Sequence, residues 1–347
     1  MRGKAWTGVL GGLMLLVGAA NAQEWVDVHF HWTMDDAGST QELVEKSLAI
    51  MQSENIRTLV VSSQPRPGQA GADFLEVQKQ LAQHGKRFAV LAGGNSLNPL
   101  MHQIHEGKAP AEAVEKFRAL AQRSAASGVK GFGEIALHHL SLNDQHAYEA
   151  IPADDALVRV LVDVVAEQDL VLDVHFDPVL AKMARPASLT SPNNPAEFEP
   201  NFEAFERMLA HNRKARIVWA HAGGVDMLGN YTPQLVQSLL ERHPNLFFSL
   251  RPMGREPGVM LQAGGGPMKR RLNPEWVNVV EKYPDRFVLG SDSFLVADAA
   301  QRVGAARIFS ANSHRQRQAI REVLSALRSD VARKVGYENA ERLYKLN

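Results

Sequence analysis

The chain of 347 residues contains no cysteine, which excludes disulfides, thiolate metal ligands and a cysteine nucleophile. It also lacks net charge: 38 basic and 38 acidic residues cancel. That balance gives no electrostatic case for tracking nucleic acid or a membrane surface. After the first 22 residues no apolar run is long enough to span a bilayer. Internal repeats, low-complexity tracts and linkers are absent too, so nothing divides the chain. What is present in a meaningful pattern is histidine and carboxylate.

The N-terminus reads as a signal peptide over residues 1–22. Arg2 and Lys4 give a positive start, Val9 to Ala19 is apolar and glycine-containing, and Ala20-Asn21-Ala22 is a small-x-small cleavage signal. The expectation is a single mature domain, residues 23–347, exported to the periplasm or beyond and free of the membrane after cleavage.

The mature chain is organised around Asp27-Val28-His29-Phe30-His31. Its alternation of polar and apolar residues predicts a strand with His29 and His31 on one face, about 7 Å apart by rise alone. Two imidazoles on one rigid element can close on one ion, and carboxylates usually complete such a site. Further strand-like runs are Thr58–Ser62, Arg87–Ala92, Gly128–Ile135, Leu170–Phe176, Arg216–His221, Leu246–Leu250 and Phe287–Ser291. Helical patterns alternate with them. Eight β–α units predict a (β/α)8 TIM barrel, in which chemistry gathers at the C-terminal strand ends. Those ends carry His29 and His31, then Glu134, His175, His221 and Asp292. Six residues of ligand type close five apolar runs.

This ordered set resembles the amidohydrolase superfamily of metal-dependent hydrolases. The closing Tyr337-Glu-Asn-Ala-Glu-Arg-Leu-Tyr344 is similar to the last helix of its amidohydrolase-related branch, while Gly133-Glu134-Ile-Ala-Leu and Gly290-Ser-Asp292-Ser resemble TatD-like hydrolases. The resemblance spans Trp25 to Leu346. It implies that His29, His31 and Asp292 hold one divalent ion, zinc foremost, and that His175 and His221 hold a second. Glu134 would bridge the two. Asp292 would also act as general base and acid. With a single ion, His221 becomes a proton-handling residue instead.

Other residues need plainer readings. Asp27, Asp173 and Lys130 are taken as structural, the two carboxylates one layer below His29 and His175 and available to orient imidazoles or to pair with an inward Lys130. His138 and His139 are placed in a loop. His84, His102, His105, His146, His211, His243 and His314 have no tie to the site. Arg251 follows strand seven and is the candidate for binding an anionic substrate group. Arg255, Lys269, Arg270 and Arg271 extend that basic segment. The Phe176–Pro200 connection is expected to wall the pocket.

The leading functional expectation is a periplasmic metal-dependent hydrolase acting on a small ester, lactone, amide or phosphoester. One alternative is a non-oxidative decarboxylase using one ion on the same fold. Another is a non-catalytic extracytoplasmic binding protein.

Overall fold

The computed structural model describes residues 23–33, 39–65, 74–224, 226–252, 260–262, 270–297 and 304–347. The leader and Arg255 and Lys269 of the basic segment lie outside them.

Strands and helices alternate along the chain. They are β1 (Trp25–Thr33), α1 (Thr40–Glu54), β2 (Ile56–Ser62), α2 (Phe74–Leu81), β3 (Phe88–Gly93), α3 (Leu97–His105), α4 (Ala113–Ala125) and β4 (Gly131–His139). Then follow α5 (Ala156–Glu167), β5 (Val171–Phe176), α6 (Phe202–His211), β6 (Arg216–Ala222), α7 (Pro233–Arg242), β7 (Leu246–Leu250), α8 (Pro274–Lys282), β8 (Phe287–Leu289), β9 (Ser293–Val296) and α9 (Gly304–Ala326). The strand order follows the chain order, with neighbours parallel, and β8 pairs back onto β1 through Asp27 and Leu289. Strand β9 continues the line of β8 along β1, Phe30 facing Ser293 and Thr33 facing Val296. Eight staves therefore close a (β/α)8 barrel, as the strand–helix alternation predicts.

The helices start where the sequence supplies donors' partners. Asp155 and Thr232 cap α5 and α7 by accepting the Leu157 and Leu235 amide protons, and α7 and α8 each begin on proline, whose missing N–H would be unpaired there anyway. Helix α3 falls where the strand–helix pattern predicts none: its apolar face is interrupted by Asn98 and His102, which are buried on it as polar partners of the strand-four region.

Every residue of β1 is buried. That follows from the architecture, in which one face of each strand points into the barrel and the other packs under helices. Inside lie Val26, Val28, Val60, Leu91, Val171, Val218 and Val288, closed from below by Leu343 and Tyr344 near the C-terminus. Outside lies the larger layer shared with the helices, where Trp219 sits between Phe205 at 4.6 Å and Tyr231 at 4.2 Å. Lys130 does not point into the barrel as expected: it precedes β4 and its Nζ donates to the Lys345 carbonyl at the closed end. An open cavity of about 1020 Å³ also lies at that end, around Glu24, Glu54, Arg321 and Tyr337. It is remote from the ligand-type residues, which occupy the opposite mouth.

Candidate metal centre

All six strand-end residues meet at the C-terminal mouth. The Nε2 atoms of His29 and His31 are 3.1 Å apart and lie 3.6 and 3.4 Å from Glu134 Oε2. Asp292 Oδ1 is 3.2 Å from His31 Nε2. The other oxygen of Glu134, Oε1, is 2.9 Å from His175 Nδ1 and 2.9 Å from His221 Nε2. One carboxylate thus joins two histidine pairs, one oxygen to each. Ligand atoms fall into three overlapping groups, each within 4.8 Å: His29–His31–Glu134, Glu134–His175–His221 and His29–His221–Asp292.

Regular pleating alone would not produce this convergence. Asp27 pairs with Leu59 and Phe30 with Val61, so β1 carries an extra residue across His29. Phe132 pairs with Leu172 and Ile135 with Val174, so β4 carries one across Glu134. Trp219 pairs with Phe248 and Ala222 with Leu250, so β6 carries one across His221. At the eighth stave the ladder breaks between β8 and β9, and Asp292 sits in the break with φ +50. Each irregularity re-aims a side chain, as bulges beside active sites do. His221 at φ +67 and Asp292 both occupy left-handed backbone, which costs a non-glycine residue of order 1 kcal/mol or more. Gly290 permits the break, since a Cβ there would come within 2.6 Å of His29 Cβ. The bulge in β1 also corrects the expected placing of Asp27. It does not lie under His29 in the same row but turns to strand eight, where it accepts the Ser291 amide proton at 2.9 Å.

The far ring nitrogens of three histidines are already engaged. His29 Nδ1 lies 3.2 Å from Asp173, His31 Nδ1 is 3.2 Å from Ser62 Oγ, and His175 Nε2 is 3.2 Å from Asp177. A proton held on the outer nitrogen leaves a lone pair on the inner one, the tautomer that ligation needs. Asp173 therefore does orient an imidazole. Asp177 is a functional residue that a reading of strand ends does not reach, although it stands two residues beyond His175, the spacing that keeps a side chain on one strand face.

The electrostatics point the same way. Burial disfavours charge on His29, but Asp173 and Glu134 outweigh it and hold the imidazole well above its ordinary range. Burial likewise opposes protonation of His175, yet Asp177 and Glu134 raise it to about 10. Glu134 is buried, and the surrounding imidazoles still keep it well below the usual carboxylate range. Asp292 is buried and held down chiefly by Arg251, whose Nη2 is 2.5 Å from Oδ2. His221 is the exception, since burial pushes it down to about 3. The cluster carries enough negative potential that, without a cation, protons collect on its histidines. Donor set, tautomers and potential all fit a divalent metal.

One wall of the mouth departs from expectation. β4 runs on to His139, so His138 and His139 belong to a strand and not a loop. The His139 ring packs 4.0 Å from His175 and 4.5 Å from His146, which ties His146 to the site after all. His102 reaches the same wall through Glu149 at 3.5 Å.

A model of the amidohydrolase family matches residues 26–346. No curated protein matches the chain. Among solved structures, a probable 2-pyrone-4,6-dicarboxylic acid hydrolase from Acinetobacter baumannii, with citric acid bound, is 12% identical with a TM-score of 0.51, covering 92% of this chain and 99% of that one. A 4-oxalomesaconate hydratase from Rhodopseudomonas palustris is 14% identical at 0.48, covering 93% and 96%. A dihydroxybenzoic acid decarboxylase from a Polaromonas species, with manganese and an inhibitor, is 14% identical at 0.48, covering 94% and 98%. At these identities the likeness is one of fold.

His146 supplies a pH test of the wall. Burial, with His139 and His175 beside it, pushes its imidazole down to about 4, below the unfolded value near 6.5. A depressed histidine contributes stability that is present above about pH 6.5 and lost as pH falls through 4. The metal-free protein should therefore lose thermal stability over this window, and His146→Gln should flatten the profile. An unchanged slope in that variant means that His146 is solvated and not part of the wall.

Proposed function

This chain belongs to the amidohydrolase family, and from that premise we propose that it is an exported hydrolase using metal-activated water on an ester, lactone, amide or phosphoester. The observation that carries the proposal is Glu134, with one oxygen on His29 and His31 and the other on His175 and His221. His29, His31 and Asp292 would hold one ion, His175 and His221 the second, with Glu134 between them. Zinc is the first candidate for imidazole and carboxylate donors. When bound, such ions supply hydroxide near neutral pH and polarise a carbonyl or phosphoryl oxygen.

The chain's own groups supply the rest. Asp292 is ionised and can take a proton from the attacking water and return it to the leaving group. Arg251 keeps that carboxylate oriented through Nη2, while its buried Nε has no partner among the described residues, leaving a donor for an anionic substrate group. The partner is accordingly a small, negatively charged molecule, and zero net charge supports neither nucleic acid nor a membrane surface. The non-catalytic alternative falls away, because the family is one of enzymes.

A decarboxylase with a single ion is the second reading. It is supported by the convergence of His29, His221 and Asp292 within one ion's reach. His221, kept neutral by burial, could then handle protons. The two readings part at the product, since only decarboxylation releases CO2.

Asp292→Asn and His29→Ala test the leading reading. Asn keeps the size and one ligand oxygen but removes the base, so metal should largely remain while turnover drops about 10²- to 10⁴-fold. His29→Ala should lose metal and activity together. Metal content and hydrolysis of a panel of esters, lactones and phosphoesters are the readouts. Near-normal turnover in Asp292→Asn removes the proton role.

Export rests on the leader pattern of Arg2 and Lys4, the apolar run Val9 to Ala19 and Ala20-Asn21-Ala22. N-terminal sequencing of protein from the source cell should begin near Gln23. Recovery of intact Met1 from the cytosol rules export out.

A further inference from the structure

A buried polar chain outside the metal-ligating set runs from α9 to the backbone around Asp292. Arg317 Nη1 donates to Ser293 Oγ at 3.0 Å. The Ser293 and Ser291 hydroxyl oxygens are 2.7 Å apart, and Ser291 Oγ donates to Asp27 Oδ2 at 2.5 Å. Asp27 Oδ1 accepts the Ser291 and His29 amide protons at 2.9 and 3.3 Å. Asp27, Ser291, Ser293 and Arg317 are all buried.

The direction of the chain follows from counting hydrogens. Ser291 has one hydroxyl hydrogen, and Asp27 takes it. Ser291 Oγ must therefore accept from the Ser293 hydroxyl, as it does from the Ser293 amide at 3.1 Å. Ser293 in turn accepts from Arg317. A cation donates through two hydroxyls to an anion, with each hydroxyl hydrogen used once and each bond strengthening the next.

The two serines flank Asp292, which is strained at φ +50. Its own amide is held by the His29 carbonyl at 2.9 Å. Strained backbone persists only where its surroundings over-determine it. We propose that Arg317 is a positioning residue which, through Ser293, Ser291 and Asp27, clamps the break in strand eight and thereby sets Asp292 for metal binding. Helix α9 then does more than cover the barrel: its central arginine fixes the geometry of a side chain on the opposite layer. The link through Asp27 also reaches His29, so the same chain ties together the two strands that supply the first ion's ligands.

The inference rests on the metal-centre reading, and its test keeps the two apart. Metal-free parent, Arg317→Met, Arg317→Lys, Ser293→Ala and the Arg317→Met/Ser293→Ala double variant are titrated with Zn2+, with the thermal midpoint recorded for each. Arg317→Met and Ser293→Ala should each weaken Zn2+ binding about 10- to 100-fold, the range for residues that support metal ligands. The double variant should be no weaker than the worse single one, because both break one chain. Arg317→Lys should recover much of the loss. If the Met variant does not fold, the conservative Ser293→Ala still decides. Parent-like Zn2+ affinity in folded variants overturns the proposal, as do losses that multiply. A parent that binds no Zn2+ removes the metal centre itself, and the positioning role with it.

Discussion

The structure turns on one buried carboxylate. Glu134 is fully surrounded, and its two oxygens face two different histidine pairs. A buried ionised carboxylate is costly unless charge and hydrogen bonds compensate it. Here the compensation comes from imidazoles on β1, β5 and β6, or from the cations those imidazoles are arranged to bind. The closed end of the barrel is filled with Val26, Val60, Leu91 and Tyr344 and can be rigid and apolar. The open end gives up that apolar packing for a charged cluster that only a ligand completes.

Much of this was legible from the sequence. Strand ends are read well because each ligand-type residue follows an apolar run, and barrel closure brings parallel strand ends together whatever their separation in the chain. His29, His31, Glu134, His175, His221 and Asp292 each end such a run, and the structure brings them together at the mouth. The errors share a cause. Period two treats strands as regular, but β1, β4 and β6 each carry an extra residue at a ligand and the eighth stave is broken. Whether a strand bulges depends on its neighbour's register, which local sequence does not encode. Period two alone therefore puts Asp27 in the wrong row, turns Lys130 inward and ends β4 before His138 and His139. Two further residues escape a reading by strand ends: Arg317 because its partner Ser293 is distant in sequence, and Asp177 because it stands one residue past the end of its strand.

The same irregularities account for the function proposed. A regular barrel would point alternate residues inward in even layers, too evenly spaced to gather four imidazoles and two carboxylates around one point. Three bulges and one break collapse that spacing. Their backbone strain at His221 and Asp292 is held by bonds such as Asp292 N to the His29 carbonyl and by the polar chain beneath. Stability is given up locally so that ligand atoms converge before any metal arrives, which is the preorganisation that metal-assisted hydrolysis needs.

The bridging role of Glu134 is tested most directly by stoichiometry. Metal-free protein titrated with Zn2+ by calorimetry, and checked by elemental analysis after removal of free ion, should take up two equivalents per chain. Glu134→Gln should hold fewer. Saturation of the parent at one equivalent, unchanged in Glu134→Gln, would contradict a carboxylate shared between two ions.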